Sequence, residues 1–462
     1  MARHLSIFGT SSDAGKSTLA FALTYLLNKE GFTVAPFKAQ NVSNNSCVCD
    51  KGGEIAIPQF FTAEAIGLET SALMNPLLLK SGKSNAASII INGQATDEQD
   101  VKEYYNNIDN LKPIVNQAFK DLNKEYELIV AEGAGSPVEL NLMDKDLSNI
   151  YIASEFDTKI ILVADIEKGG VFASIYGVYN LLPANLKANV IGVVINKFRG
   201  DETLFDEGRS IIEKEFGLKV LGLIPYKPLN LGFEDMQSLM NYTQHKPKAT
   251  INVAIIRLPH ISNFTDFEPL INDPEVLVNF IDSCSNLGNY DLLILPGSKR
   301  TISDLRWLKE MGFTHSLQIY SGKVLGICGG YEMMFETLFD KYGVEEEPLT
   351  TETGLDYIHE TLSFEKVKTL EKGSYQQFDL VLQGYEIHHG SAAQSYFQKD
   401  NIYGTFIHGL FDNDNFRQLI FSEISSQYKG YNFKRFKDEK IASYCSFIKE
   451  NIDLNYILGE IQ

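Results

Sequence analysis

The sequence predicts an α/β fold in two domains, each built on a mostly parallel sheet. Three observations point to it. Short runs rich in Val, Ile and Leu alternate with helical stretches, a glycine-rich turn follows the first such run, and the apolar pattern stops near 241–250 and restarts at 251. The length of 462 residues agrees, since a typical domain has roughly 150.

Strands are expected at 5–8, 33–36, 128–131, 160–164, 190–195 and 220–224. Continuous β-branched and leucine-rich runs of this kind are those of strands covered on both faces. The stretches 19–28 and 204–215 read as crossover helices. Around Tyr242, Gln244, His245, Lys246 and Pro247 apolar content is low, which places the junction there and gives domains of 1–245 and 250–462. Strands resume at 251–256, 292–295 and 324–327, antiparallel strands with loops are expected over 373–404, and helix beyond about 412.

Composition narrows the function. With 44% hydrophobic and 11% aromatic residues the chain can bury substantial cores, and a net charge of -19 excludes nucleic-acid binding through a broad basic face. Five cysteines without regular spacing make no disulfide framework. No apolar run approaches the roughly 18 residues of a membrane span, and the apolar start is too short for a signal peptide. These features fit a reducing cytoplasm. A homo-oligomer is left open.

Two segments carry chemistry. The first is Gly9-Thr10-Ser11-Ser12-Asp13-Ala14-Gly15-Lys16-Ser17, a phosphate-cradling loop between a strand and a helix. Its glycines are five residues apart, one more than the common pattern, yet the physical needs are met. Gly9, Thr10, Asp13 and Gly15 shape the loop, Lys16 neutralises phosphate charge, and Ser17 at the helix start is a ligand for Mg²⁺. Glu132, at the carboxyl end of 128–131, is the second candidate metal ligand, and Asp165 ends the next strand. Lys38, Gln40 and Asn41 follow the strand at 33–36 and suit a phosphate or polar substrate. Asn196 is a candidate for nucleotide recognition, although Arg199 stands where the usual Asn-Lys-x-Asp pattern has aspartate. Cys47 and Cys49 lack a second pair and read as ordinary thiols.

The second segment is Leu325-Gly326-Ile327-Cys328-Gly329-Gly330-Tyr331, where a strand turns sharply into a helix and presents Cys328 as a nucleophile. Neighbouring backbone N–H groups would stabilise an oxyanion, and the helix start is expected to lower the thiol pKa. His408 is the chosen base, with His388 and His389 as competitors.

Taken together these segments resemble the cobyric acid synthase family (CobQ type), glutamine-dependent corrinoid amidoligases of cobalamin biosynthesis. The resemblance spans nearly the whole chain. It rests on 9–17, 38–46, Asn75-Pro76-Leu77-Leu78-Leu79-Lys80, 132–137, 165–172 with Gly169-Gly170, and 196–200 in the first half. In the second half it rests on 257–266, 296–299, 328–331, 385–390 and 408–413. It implies an N-terminal P-loop NTPase domain resembling dethiobiotin synthetase, whose loop shares the longer glycine spacing. It also implies a C-terminal class I glutamine amidotransferase-like domain, with Cys328 as nucleophile and His408 as base. Where such enzymes place a glutamate two residues after the histidine, this chain has Leu410, so no third member is assigned.

The implied reaction uses ATP, Mg²⁺ and glutamine to amidate the b, d, e and g carboxylates of adenosylcobyrinic acid a,c-diamide. Asn41, Asn44 and His389 are candidates for the corrinoid. The sister cobyrinic acid a,c-diamide synthases, or a related amidoligase acting on another polycarboxylate, are the nearest alternative. A nucleotide-dependent partitioning or regulatory protein is the non-enzymatic one, and the cysteine elbow argues against it.

Overall fold

A computed structural model of the chain describes residues 4–81, 86–96, 99–229, 231–232 and 246–462. Residues 241–245 of the expected junction lie outside the described residues. The chain packs as two compact units, one of 1–43, 49–230 and 438–462, the other of 44–48 and 231–437.

The first unit contains a six-stranded sheet in the order Val220–Pro225, Val190–Phe198, Lys159–Asp165, Leu5–Gly9, Leu128–Glu132, Val34–Phe37, and every pairing is parallel. All six expected strands are present. Their interiors are buried, as strands with helices on both faces must be. Ile160, Leu162, Val193 and Ile195 pack with Val171, Ile175 and Val178 of helix Val171–Leu181 in one core. Because Leu5–Gly9 lies between Lys159–Asp165 and Leu128–Glu132, the glycine-rich loop emerges beside Asp165 and Glu132, at the carboxyl edge. A smaller sheet of Gln40–Val42, Leu77–Ser81, Ala86–Ile91 and Gln94–Ala95 was not expected from sequence.

The second unit has a six-stranded sheet in the order Val276–Ile281, Ile251–Ile256, Leu292–Leu295, Lys323–Ile327, Ile402–Thr405, Tyr396–Lys399, antiparallel only at the last pairing. A second sheet joins Thr350–Thr353, Phe335–Asp340, Ile358–Gln377, Leu380–Ser391 and Ile407–His408. Its long antiparallel pair turns through Phe378 and Asp379, both left-handed at φ 54° and 58°, the two-residue hairpin geometry that matches strand twist.

A single cut at 245–250 does not describe this packing. Residues 438–462 belong with the first unit: Ile452 bridges Gly222, Lys159 pairs with Glu460 at 3.0 Å, and Leu454, Ile457 and Ile461 of helix Leu454–Ile461 are buried. An amphipathic terminal helix packs where its apolar stripe finds cover, whatever its place in the chain. No described helix is long and apolar enough to cross a membrane.

Candidate functional site

In the first unit, helix Lys16–Lys29 begins directly after the loop, with Gly15 left-handed at φ 100° as its cap. Gly15 is required twice over, since a Cβ there would also stand 2.1 Å from Asn196 Nδ2. Lys16 is buried and its Nζ donates to Ser11 O at 3.1 Å, so the ammonium lies over the loop. Thr10 N–H bonds to Val163 O at 2.8 Å, tying the loop to the neighbouring strand. Asp13 is exposed with φ 58°, and Lys168 lies 3.9 Å away.

Glu132 is the hub of this centre. Its buried carboxylate accepts from Ser17 Oγ at 2.6 Å, Lys38 Nζ at 2.8 Å and Gln59 Nε2 at 3.2 Å. A carboxylate removed from water needs such partners, and the lysine balances its charge. The sequence reading named Ser17, Lys38 and Glu132 separately, and the fold brings them onto one carboxyl group. Gln59 was missed, since helix Ile57–Ala65 carries no motif. Asn196 sits at the loop, where its amide donates to Ala14 O at 2.9 Å. Asp165 accepts from Lys197 Nζ at 3.0 Å and from Glu167 N–H at 2.8 Å.

In the second unit, strand Lys323–Ile327 ends at Cys328, whose φ of 51° and ψ of -112° are a strained turn into helix Gly329–Glu332. Gly330 makes the turn possible: a Cβ there would lie 2.0 Å from Leu295 O. Cys328 N–H bonds to Thr405 O at 2.8 Å, and its Sγ lies 3.7 Å from Ile387 O. Burial, followed by the charge of Glu332, pushes the thiol pKa well above its ordinary value. This direction is opposite to the lowering expected from the helix start, because the loss of water around sulfur outweighs the Gly329 N–H there. Glu332 is itself buried and raised by desolvation; it accepts from Thr301 Oγ1 at 2.6 Å and Gly390 N–H at 3.1 Å.

Register brings the base to the same edge. Ile327 pairs with Thr405, and His408 follows three residues later, cross-strand from Tyr385, on whose ring it stacks at 5.2 Å. His408 Nδ1 lies 2.7 Å from Asp266 Oδ2, and Asp266 Oδ1 accepts from Gly409 N–H at 2.8 Å. Asp266 and His408 are both buried. An ionised carboxylate at Nδ1 holds the proton there and leaves Nε2 as the basic nitrogen. Sequence reasoning left this acid unassigned. Asp266 sits on the 3₁₀ turn Phe264–Phe267, at the end of the 257–266 segment, with no local mark of its role.

The competing histidines are engaged otherwise. His388 stacks on Phe406 at 3.9 Å with Nδ1 2.7 Å from Gly390 O, and its nearest carboxylate, Glu386, is 3.5 Å away. His389 Nδ1 lies 3.0 Å from Glu365 O. Of the corrinoid candidates, Asn41 is in the first unit, buried, with Oδ1 accepting from Val42 N–H at 2.9 Å. Asn44 and His389 belong to the second unit, each half-buried.

Chemically, one centre offers a cation, a hydroxyl and a carboxylate around an anion-binding helix start. The other offers a buried thiol on a strained elbow and an imidazole backed by a carboxylate. Residues 5–232 match the family model of the CobQ/CobB/MinD/ParA nucleotide binding domain, and 252–416 that of the CobB/CobQ-like glutamine amidotransferase domain. The chain is 54% identical to a cobyric acid synthase of Acinetobacter baylyi, with 100% of this chain and 99% of the relative covered. It is 37% identical to one from Listeria monocytogenes serotype 4b (99% and 96% covered) and 36% to one from Clostridium tetani (98% and 98%).

Proposed function

The chain belongs to the cobyric acid synthase family, and from that premise we propose how its two centres divide the reaction. It is a glutamine-dependent amidoligase that amidates the b, d, e and g carboxylates of adenosylcobyrinic acid a,c-diamide to give adenosylcobyric acid, at the expense of ATP. We assign activation to 1–245 and glutamine hydrolysis to 250–462, a functional division that crosses the packing units at 44–48 and 438–462.

A carboxylate does not react with ammonia, because oxide would have to leave. A carboxylate oxygen of the corrinoid attacks the γ-phosphorus of ATP, ADP leaves, and an acyl phosphate results. Gly9, Thr10, Asp13 and Gly15 form the cradle, braced by Asn196, and Lys16 and Lys38 stabilise charge on the phosphates. Ammonia then attacks the acyl carbon and inorganic phosphate departs.

The residues present fit Mg²⁺, a hard cation that prefers oxygen. Ser17 Oγ and the Glu132 carboxylate, which are bonded to each other with Lys38 beside them, would hold it. When bound, the ion neutralises phosphate charge.

In the second centre, Cys328 Sγ attacks the glutamine amide carbonyl as His408 takes the thiol proton. His408 returns that proton to the departing ammonia, and water clears the thioester to release glutamate. Asp266 orients His408 and stabilises its protonated form. For the corrinoid we keep Asn41, Asn44 and His389, whose amides and imidazole suit a substrate edged with carboxylates and amides. The free thiols support a reducing cytoplasm as the setting.

The observation that carries this reading is a buried Asp266–His408 pair at the same sheet edge as an elbow cysteine, in a chain that also holds a glycine-rich loop at a helix start. The test supplies ATP and the corrinoid a,c-diamide with glutamine or with ammonium, and weighs the product. Amides at b, d, e and g from either nitrogen source are expected. ATP hydrolysis without amidation of that acceptor would sink the assignment.

A further inference from the structure

Residues 44–48 stand in the first half of the sequence yet pack within the second unit. There they make particular bonds. Asn45 Oδ1 accepts from Asn263 N–H at 2.9 Å, and Asn263 Oδ1 accepts from Ser46 N–H at 3.4 Å. Ser46 O accepts from Tyr385 Oη at 3.4 Å. Asn45, Ser46 and Asn263 are all buried, so water does not replace these partners.

One recipient reaches the base through Asp266 and the other touches it directly. Asn263, left-handed at φ 53°, caps the turn Phe264–Phe267, and its carbonyl accepts from Asp266 N–H at 3.0 Å. Tyr385 is the ring stacked on His408. The segment therefore bears on the carboxylate at Nδ1 and on the ring against the imidazole face.

We propose that residues 44–48 form a positioning strap for glutamine hydrolysis, with Asn45 the positioning residue that fixes the turn carrying Asp266 and, through it, His408. The proposal rests on Cys328 and His408 being the glutamine-hydrolysing centre. Without Asn45 Oδ1, Asn263 N–H must find another acceptor, and the turn moves to reach one. A displacement of about 1 Å at such a site is enough to cost on the order of 10²-fold in rate.

The test uses the full chain carrying Asn45→Ala or Asn45→Asp, the second keeping the acceptor oxygen. Glutamate release from glutamine and ammonia-driven synthesis are measured side by side. For Asn45→Ala, kcat for glutamine hydrolysis should fall at least about tenfold, with KM and ammonia-driven synthesis within about twofold of the parent. Asn45→Asp should recover most of the loss. Should Asn45→Ala fail to fold, Asn263→Gly, which keeps the left-handed turn and removes the acceptor for Ser46 N–H, tests the strap through its other bond by the same two rates. Unchanged glutamine hydrolysis overturns the proposal, as does an equal loss with both nitrogen sources, because the bond then serves the fold and not the base. A parent protein that releases no glutamate removes the underlying reading and the strap with it.

Discussion

Asp266 Oδ2 lies 2.7 Å from His408 Nδ1 although 142 residues separate the two in sequence. The acid comes from the turn after strand Ile251–Ile256, and not from the position two residues beyond the histidine, where Leu410 is buried in the core. A leucine at that position therefore does not leave the imidazole without a carboxylate.

Asp266→Asn tests that pairing directly. The amide keeps the shape but removes the charge that favours a protonated ring and the Nδ1–H tautomer. Glutamine hydrolysis should drop by about 10²-fold or more, the scale of general acid–base catalysis, while ammonia-driven synthesis persists. Steady-state rates with each nitrogen source decide it; equal rates for mutant and parent on glutamine would contradict the role.

Cys328 should behave as a buried, protonated thiol. Burial holds its pKa above the ordinary 9.0, so the reactive thiolate fraction grows as pH rises toward that value and beyond. Alkylation by iodoacetamide, with Cys328→Ala as the blank for the other thiols, should accelerate through pH 9 without a plateau. A plateau near neutral pH would mean a preformed thiolate. The same Cys328→Ala protein should lose glutamine-driven synthesis and retain the ammonia-driven reaction.

Lys16→Ala should remove synthesis from either nitrogen source, because activation of the carboxylate precedes both. Losing one such charge-stabilising donor costs roughly 3–4 kcal/mol, or about 10²–10³ in rate. Appreciable ammonia-driven synthesis in this variant would count against the phosphate-loop assignment.

Chelation of divalent cations separates the centres in another way. If Ser17 and Glu132 hold Mg²⁺, excess EDTA should stop ATP-dependent amidation and leave glutamate release intact. Restoring Mg²⁺ should restore synthesis. Loss of glutamate release under EDTA would place a metal in the wrong half.

Gly330→Ala probes the elbow itself. Its Cβ would stand 2.0 Å from Leu295 O, a backbone atom in a central strand that has no room to yield. Overpacking of this kind costs about 1–3 kcal/mol, which a thermal melt reads as a lower midpoint. An unchanged midpoint would show the strand and helix less closely packed than described.

The large parallel sheet was legible because its strands announce themselves locally. Ile160, Leu162 and Val163 form a run that only a strand covered on both faces needs, and the run ends at Asp165, where the structure also ends it. Gly15, Lys16 and Ser17 were legible because turn and helix-start chemistry acts over a few residues. Cys328 was legible as an elbow, but the burial that pushes its thiol pKa up was not, since the helix start is visible in sequence and the burial of sulfur is not. The small sheet around Leu77–Ser81 escaped notice, as did the return of 438–462 to the first unit.

By itself the sequence determined the strands of the large parallel sheet, the glycine-rich loop that opens the first helix and the cysteine held at a turn, since those follow from interactions between near neighbours in the chain. Only the tertiary structure decided that Glu132 gathers Ser17, Lys38 and Gln59, that Asp266 serves His408, and that residues 44–48 pack against the turn bearing that acid. Those pairings depend on which surfaces exclude water together, and a buried charge takes its partner from whatever segment the packing delivers.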